Sequence, residues 1–201
     1  MFRVASLVVA LSVLAAPALA QAEGNLSRAL GYAPASESPS SAWEARFGAG
    51  AANPGGRESG LLNYGAELVT PRIATLSDRI ANAFMPRFHL GSSLNLNGTK
   101  YAYAGATWTI DLSQTVFVEA SLGAALNNGK TGGVVPQNRL NLGCNTGARS
   151  AASLGYRISD RWSLIATLEH FSTAGCSDNL AAGAGNPRGP SNFGARLGYT
   201  F

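Results

Sequence analysis

The sequence predicts an all-β protein, an eight-stranded antiparallel β-barrel of the outer-membrane type. Three observations predict it: apolar and polar residues alternate in eight segments, very short turns join some of these segments, and the chain ends on the aromatic Phe201. No apolar run in residues 21–201 approaches the roughly 20 residues that a membrane helix needs. The 24 glycines and the 13% share of charged residues also suit short strands and tight turns.

The first twenty residues have the features of a cleaved export signal. Arg3 supplies a positive charge, residues 4–14 form an apolar core, and Ala18-Leu19-Ala20 is a small-x-small cleavage site. The core is short for a membrane anchor, so we expect cleavage after Ala20. The expected organisation is a signal peptide over 1–20, an irregular periplasmic lead-in over 21–41 and a transmembrane barrel over 42–201.

Two hairpins show the strand pattern most clearly. Apolar residues occupy the even positions of residues 102–110 and again of 116–124, while the odd positions, apart from Phe117, carry small or polar residues. The connection 111–114 between them is short enough only for an antiparallel hairpin. A second such pair surrounds the turn 159–161. Less regular segments at 43–49, 62–68 and 88–96, and a regular one at 192–201, complete the predicted set of eight.

The two faces of these strands differ in charge. The apolar face carries aromatic residues near strand ends, as lipid-facing surfaces do: Trp43, Trp108, Tyr156, Trp162 and Tyr199. The opposite face carries charges of both signs: Glu44, Arg46, Glu67, Arg87, His89, Glu119, Arg157, Glu169 and Arg196. We therefore expect salt bridges to fill a narrow lumen, which disfavours transport.

Loop lengths predict the orientation of the barrel. The short turns 111–114 and 159–161 are typical of the periplasmic side, and the long segments 127–147 and 173–190 of the extracellular side. Segment 71–86 is long but should be periplasmic. The spacing of its apolar residues predicts a short amphipathic helix: Ile73, Leu76, Ile80 and Phe84.

The two cysteines, Cys144 and Cys176, fall in the two long loops. In an exported chain one disulfide between them is the default expectation, and two free thiols are the alternative.

The seventh strand changes character at its extracellular end. Its outward positions continue from Leu168 to His170 and Ser172, so two polar side chains lie on the face predicted to meet lipid. Residues i and i+2 of a strand lie about 7 Å apart, a gap that an imidazole can span to take a hydroxyl proton. The pattern thus indicates an activated serine, with polar residues at headgroup level and no chemistry as the alternative.

A His-x-Ser-x-Ala-Gly stretch covers residues 170–175, close to the terminal aromatic strand. Together with Asn186-Pro187 and the ending 194–201, it makes residues 148–201 resemble the C-terminal half of the PagL-type lipid A 3-O-deacylases, a family of acyloxyacyl hydrolases. The resemblance is thin before Tyr101. It implies an eight-stranded outer-membrane barrel whose active site faces the outer leaflet, with lipid A of the lipopolysaccharide as the partner.

The resemblance also implies roles for individual residues. Ser172 would attack the ester that joins a 3-hydroxy acyl chain to glucosamine, and His170 would be the general base and then the acid. Backbone N–H groups from Thr173 to Gly175 are candidates for an oxyanion hole. Asn186 matches a family asparagine that could assist there, or it forms an Asx-turn before Pro187. No metal and no other cofactor is implied.

Two positions depart from the family pattern. The family acid would stand ten residues before the C-terminus, where this chain has Ser191. A serine supplies no charge, and losing the acid of a triad can slow the reaction about 10⁴-fold. Asp178 is the candidate substitute, since Glu169 points inward by phase. Thr173 stands where the family usually has asparagine.

Two functions compete on this basis. The first is a lipid A 3-O-deacylase, a carboxylic ester hydrolase of the bacterial outer membrane. The second is a catalytically inactive structural or adhesin-like barrel of the OmpA or Opa type. Nothing in the sequence indicates nucleic-acid binding, and the only histidines, His89 and His170, are predicted on opposite sides of the wall, which disfavours a shared metal site. A homodimer through lipid-facing surfaces is left open.

Overall fold

Eight antiparallel strands close into a single barrel in the computed structural model. Each strand pairs with its neighbours along the chain, and β1 pairs with β8. The strands are β1 (Glu44–Ala52), β2 (Leu62–Arg72), β3 (Arg87–Asn95), β4 (Lys100–Asp111), β5 (Val116–Asn127), β6 (Thr146–Arg157), β7 (Trp162–Ser172) and β8 (Ser191–Thr200). The predicted eight-stranded antiparallel barrel is confirmed.

The structure describes residues 41–54, 56–60, 62–76, 79–96, 98–131, 134–173 and 189–201. The predicted signal peptide and all but residue 41 of the predicted lead-in lie outside these ranges. Within them, no helix is both long and apolar enough to span a membrane.

The alternation of side chains puts apolar residues on the outside of the wall. Leu122, Leu154 and Phe193 expose 58%, 55% and 56% of their area, although each lies within a strand that is paired on both sides. The charged residues between them are buried inside the barrel. An exposed apolar belt around a charged interior is the reverse of a water-soluble protein, and it marks the outer surface as lipid-facing.

Ion pairs fill the lumen, as the charge pattern predicts. Arg46 contacts Glu119 at 2.6 Å, Glu44 at 2.8 Å and Glu67 at 3.4 Å. Among the described residues, this network joins four carboxylates to four guanidinium groups: Glu44, Glu67, Glu119 and Glu169 with Arg46, Arg87, Arg149 and Arg196. The opposite charges balance, which makes their burial tolerable.

One member of this network, Arg149, is absent from the predicted inward set. β6 begins at Thr146, earlier than the alternation that starts near residue 151 indicates. Arg149 lies in this extension, where its guanidinium stacks 3.9 Å from the ring centre of Tyr103. Its neighbours are small or polar, so hydropathy does not distinguish this part of the strand from the preceding loop.

The segment 71–86 is less helical than its apolar spacing predicts. β2 runs to Arg72, and the only helix described there, α1 (Arg79–Ala83), has five residues. Pro71 has no N–H for the strand ladder, and the register shifts between Val69 and Arg72. The Thr70 hydroxyl accepts the Phe88 N–H at 2.9 Å beside this irregularity. The bulge accommodates Pro71 within β2, so the strand runs to Arg72 and the helix is confined to Arg79–Ala83.

The connection between β4 and β5 is also displaced by one residue from its prediction. It covers 112–115 rather than 111–114, because Asp111 still belongs to β4 and forms an ion pair with Arg157. We call this end of the barrel, with the turns 112–115 and 158–161, the turn end, and the opposite end the loop end.

A buried carboxylate holds the loops of the loop end together. Glu58, between β1 and β2, accepts the Thr99 N–H at 2.8 Å and the Leu140 N–H at 3.2 Å. It also forms an ion pair with the Arg139 Nε at 3.1 Å. One side chain thus joins the β1–β2, β3–β4 and β5–β6 connections.

Glu58→Gln is expected to loosen these loops while the barrel stays folded. Losing charge-assisted hydrogen bonds of about 1.5–3 kcal/mol each should raise the rate of trypsin cleavage after Arg57 and Lys130 about 10- to 100-fold. Glu119→Gln makes the same change among the lumen ion pairs and is the matched control. Equal cleavage of Glu58→Gln and wild type would contradict the assigned role.

The cysteine of the β5–β6 connection, Cys144, is disulfide-bonded. The chain's other cysteine, Cys176, lies outside the described residues. The pairing of the two stays a prediction.

Candidate active site

A row of polar side chains crosses neighbouring strands on the outer face of the barrel, near the loop end. Ser150 of β6 pairs with His170 of β7, and His170 pairs with Ser191 of β8. Directly paired residues have Cβ atoms about 4.5–5.5 Å apart, so these three side chains lie side by side. The row lies where the apolar belt ends and the loops begin.

His170 is hydrogen-bonded within this row. Its Nδ1 lies 3.0 Å from the Ser191 Oγ, so the strand pairing brings the serine at the position of the family acid into contact with the imidazole. The backbone N–H of Ser191 in turn donates to the Asn53 Oδ1 at 3.4 Å. The order of contacts is therefore His170, Ser191, Asn53.

Ser172 ends β7, two residues beyond His170 on the same outward face. It pairs with Ala148 of β6, and its side chain is half-buried. A spacing of about 7 Å between the two backbone positions is within reach of an imidazole and a hydroxyl that turn towards each other. The structure therefore keeps the predicted pair on the lipid-facing side.

The inward residues between them anchor this end of β7. The Glu169 carboxylate contacts Arg196 at 2.8 Å and Arg149 at 3.0 Å in the lumen. The Phe171 ring stacks on Tyr101 with centroids 3.9 Å apart, and its N–H donates to the Pro190 carbonyl at 3.1 Å. Because alternate residues are fixed inside, the outward direction of His170 and Ser172 is fixed as well.

Thr173 follows β7 and turns its side chain inward. Only 3% of the residue is exposed, and its Oγ1 has no hydrogen-bond partner among the described residues. The side chain is therefore not on the outer face, and the predicted oxyanion role concerns its backbone N–H alone. The other predicted members of the site lie outside the described residues: Gly175, Asp178 and Asn186.

The second histidine lies on the other side of the wall. His89 is buried, and its Nδ1 is 2.9 Å from the Thr107 Oγ1. The predicted opposite orientation of the two histidines is confirmed. Among the described residues, no three His, Cys, Asp or Glu side chains group as a metal-binding site.

Two residues of this site are absent from the sequence-based set: Ser150, which belongs to the row, and Asn53, which contacts Ser191. Continuing the outward phase of β6 backwards from Ala152 would have included Ser150. Asn53 has no comparable signal, because it follows the end of β1 and reaches Ser191 only through the closure of β1 on β8.

Comparisons with known proteins bear on the fold and on the family. Residues 82–180 match the family model described as lipid A 3-O-deacylase (PagL). The crystal structure of the outer membrane enzyme PagL superimposes with a TM-score of 0.57 at 14% identity, covering 79% of this chain and 99% of that chain. A structure from the de novo design of transmembrane beta-barrels gives 0.50 at 9% identity, covering 80% of this chain and 96% of that chain. No curated protein sequence matches the chain. At these identities the structural likeness concerns the fold alone.

Proposed function

We propose that the chain, whose residues 82–180 match the PagL family of lipid A 3-O-deacylases, belongs to that family and is itself a hydrolase that removes the ester-linked 3-hydroxy acyl chain of lipid A. The observation that carries the proposal is the placement of His170 and Ser172 on the outer face, with the Nδ1 of His170 3.0 Å from Ser191. This face meets the membrane, where lipid A is located.

The surface next to the polar row suits such a substrate. Towards the turn end, the next outward row consists of Ala152, Leu168 and Phe193, which pair across β6, β7 and β8. Leu168 and Phe193 expose 53% and 56% of their area. Acyl chains would lie along these residues, which places an ester bond and its glucosamine at the level of His170 and Ser172.

The two residues would divide the reaction as follows. The His170 Nε2 takes the Ser172 hydroxyl proton while the Oγ attacks the ester carbonyl carbon. The tetrahedral intermediate collapses, the ester C–O bond breaks, and His170 returns the proton to the leaving glucosamine hydroxyl. Water, deprotonated by the same imidazole, then releases the 3-hydroxy fatty acid from Ser172. Backbone N–H groups at Thr173 and beyond would stabilise the oxyanion.

The proposal includes the location and the partner. After removal of residues 1–20, the protein would lie in the bacterial outer membrane with its loop end outside, and its partner would be lipopolysaccharide of the outer leaflet. A homodimer is not part of the proposal.

Mass spectrometry of lipid A from cells with and without the protein tests the activity. We expect the wild type to remove the mass of one 3-hydroxy acyl chain, and Ser172→Ala to leave lipid A unchanged because no nucleophile remains. Ser153→Ala is a matched control on the inward face of β6, where Ser153 contacts Thr167 at 3.0 Å. An unchanged spectrum with folded wild-type protein would instead support the structural or adhesin-like barrel.

A further inference from the structure

Behind His170, a chain of hydrogen bonds leads from the outer face into the loop between β1 and β2. The Ser191 Oγ lies 3.0 Å from the His170 Nδ1, and the Ser191 N–H donates to the Asn53 Oδ1 at 3.4 Å. These contacts join three elements that are far apart in sequence: β7, β8 and the loop after β1.

The Asn53 amide is held in one orientation. Its Nδ2 donates to the Arg57 carbonyl at 2.6 Å, which directs the Oδ1 towards the Ser191 N–H. Its backbone N–H donates to the Asn192 Oδ1 at 3.3 Å, and its carbonyl accepts the Gly56 N–H at 3.0 Å. With φ at 40°, Asn53 occupies the left-handed region, which asparagine tolerates better than most residues. Asn53 is therefore well suited to fix the start of β8.

The Ser191 hydroxyl contributes a dipole and no charge. When it accepts the Nδ1–H of His170, it selects the tautomer whose Nε2 is unprotonated, and this is the form that a general base needs. The neighbouring carboxylate of Glu169 faces the lumen, where Arg149 and Arg196 bind it. Glu169 is therefore not the group that orients the imidazole.

We propose that Ser191, positioned by Asn53, is the residue that orients His170 during ester hydrolysis, so that a neutral hydroxyl replaces the carboxylate of a serine triad. The inference rests on the proposed function. Both are positioning residues, because they act on the ester only through His170.

Steady-state hydrolysis of purified lipid A in detergent micelles tests this, with the wild type compared against variants of residue 191. Ser191→Ala should lower kcat about 10- to 100-fold and leave KM within about twofold, since a residue that only orients His170 affects the chemical step rather than binding. Ser191→Asp should raise kcat about tenfold or more, because a carboxylate stabilises the imidazolium and can contribute up to about 10⁴-fold in a triad. Ser191→Asn is the matched neutral control and should not raise it. If Ser191 had only a structural role, introducing a negative charge with Ser191→Asp would not raise kcat.

Asn53→Ala provides the second measurement. It should lower kcat in the wild type and have little further effect in Ser191→Ala, because both changes interrupt the same chain of contacts. Folding of every variant is checked by heat-dependent migration in gel electrophoresis, which distinguishes closed from unfolded barrels.

The outcomes separate the two proposals. A folded Ser191→Ala variant with kcat within twofold of an active wild type, or a folded Ser191→Asp variant without a gain, would overturn this inference and leave the proposed function standing. Absence of hydrolysis by the wild type would overturn both.

Discussion

Replacing His170 by glutamine is expected to slow lipid A hydrolysis at least about 10⁴-fold without unfolding the barrel. Glutamine can still form a hydrogen bond to Ser191 but cannot take a proton from Ser172. Without that transfer the hydroxyl stays a weak nucleophile, and the leaving sugar oxygen has no acid to protonate it. The measurement is kcat/KM on purified lipid A, with released 3-hydroxy fatty acid quantified by mass spectrometry.

The chain provides its own control for this substitution. His89→Gln changes the other of the two histidines, and it lies on the lumen side beside Thr107. A glutamine amide can keep that hydrogen bond, so hydrolysis should stay within about threefold of wild type. If both variants lost kcat/KM to a similar extent, the loss would come from a disturbed barrel structure. That result would contradict the assignment of His170 as the base.

Removing the carboxylate of Glu67 is expected to lower the free energy of unfolding by about 3–5 kcal/mol. Glu67 contacts Arg196 at 3.1 Å, Arg149 at 3.4 Å and Arg46 at 3.4 Å, and it accepts the Tyr103 hydroxyl at 3.0 Å. Glu67→Ala therefore leaves three guanidinium groups in the closed lumen with one carboxylate fewer. Urea unfolding in detergent or vesicles, followed by tryptophan fluorescence, measures the change.

A second substitution distinguishes charge balance from simple loss of contacts. Glu67→Ala combined with Arg196→Ala restores the equality of opposite charges in the network, so the pair should cost less than the sum of the two single variants by about 1 kcal/mol or more. Strict additivity would show that the ion pairs act independently, and the lumen would then not be a coupled network.

The residues that stabilise the barrel and the residues proposed to catalyse the reaction lie on opposite sides of the barrel wall. The ion pairs lie inside the wall, and the polar row around His170 lies outside it. Lumen variants should therefore change stability at nearly constant activity per folded molecule, while changes at His170, Ser172 or Ser191 should do the opposite.

Much of the fold could be predicted from the sequence because strand alternation is a local property. In β4 and β5 the apolar and polar residues alternate with few exceptions, such as the inward Phe117, and the predicted faces agree with the observed ones. Prediction from alternation failed where neighbouring side chains do not differ clearly in polarity, as at the start of β6 around Arg149. It also failed where proline forces an irregular register, as at Pro71.

The placement of His170 and Ser172 on the outer side of one strand could be predicted from the sequence, because residues two apart in an extended chain share a face. The residues that contact the imidazole from behind could not be predicted in this way, because they come from other strands. Ser191 reaches His170 through the β7–β8 register, and Asn53 reaches Ser191 through the closure of β1 on β8. Register and closure depend on hydrogen bonds and packing between segments far apart in the chain, so no local pattern encodes them.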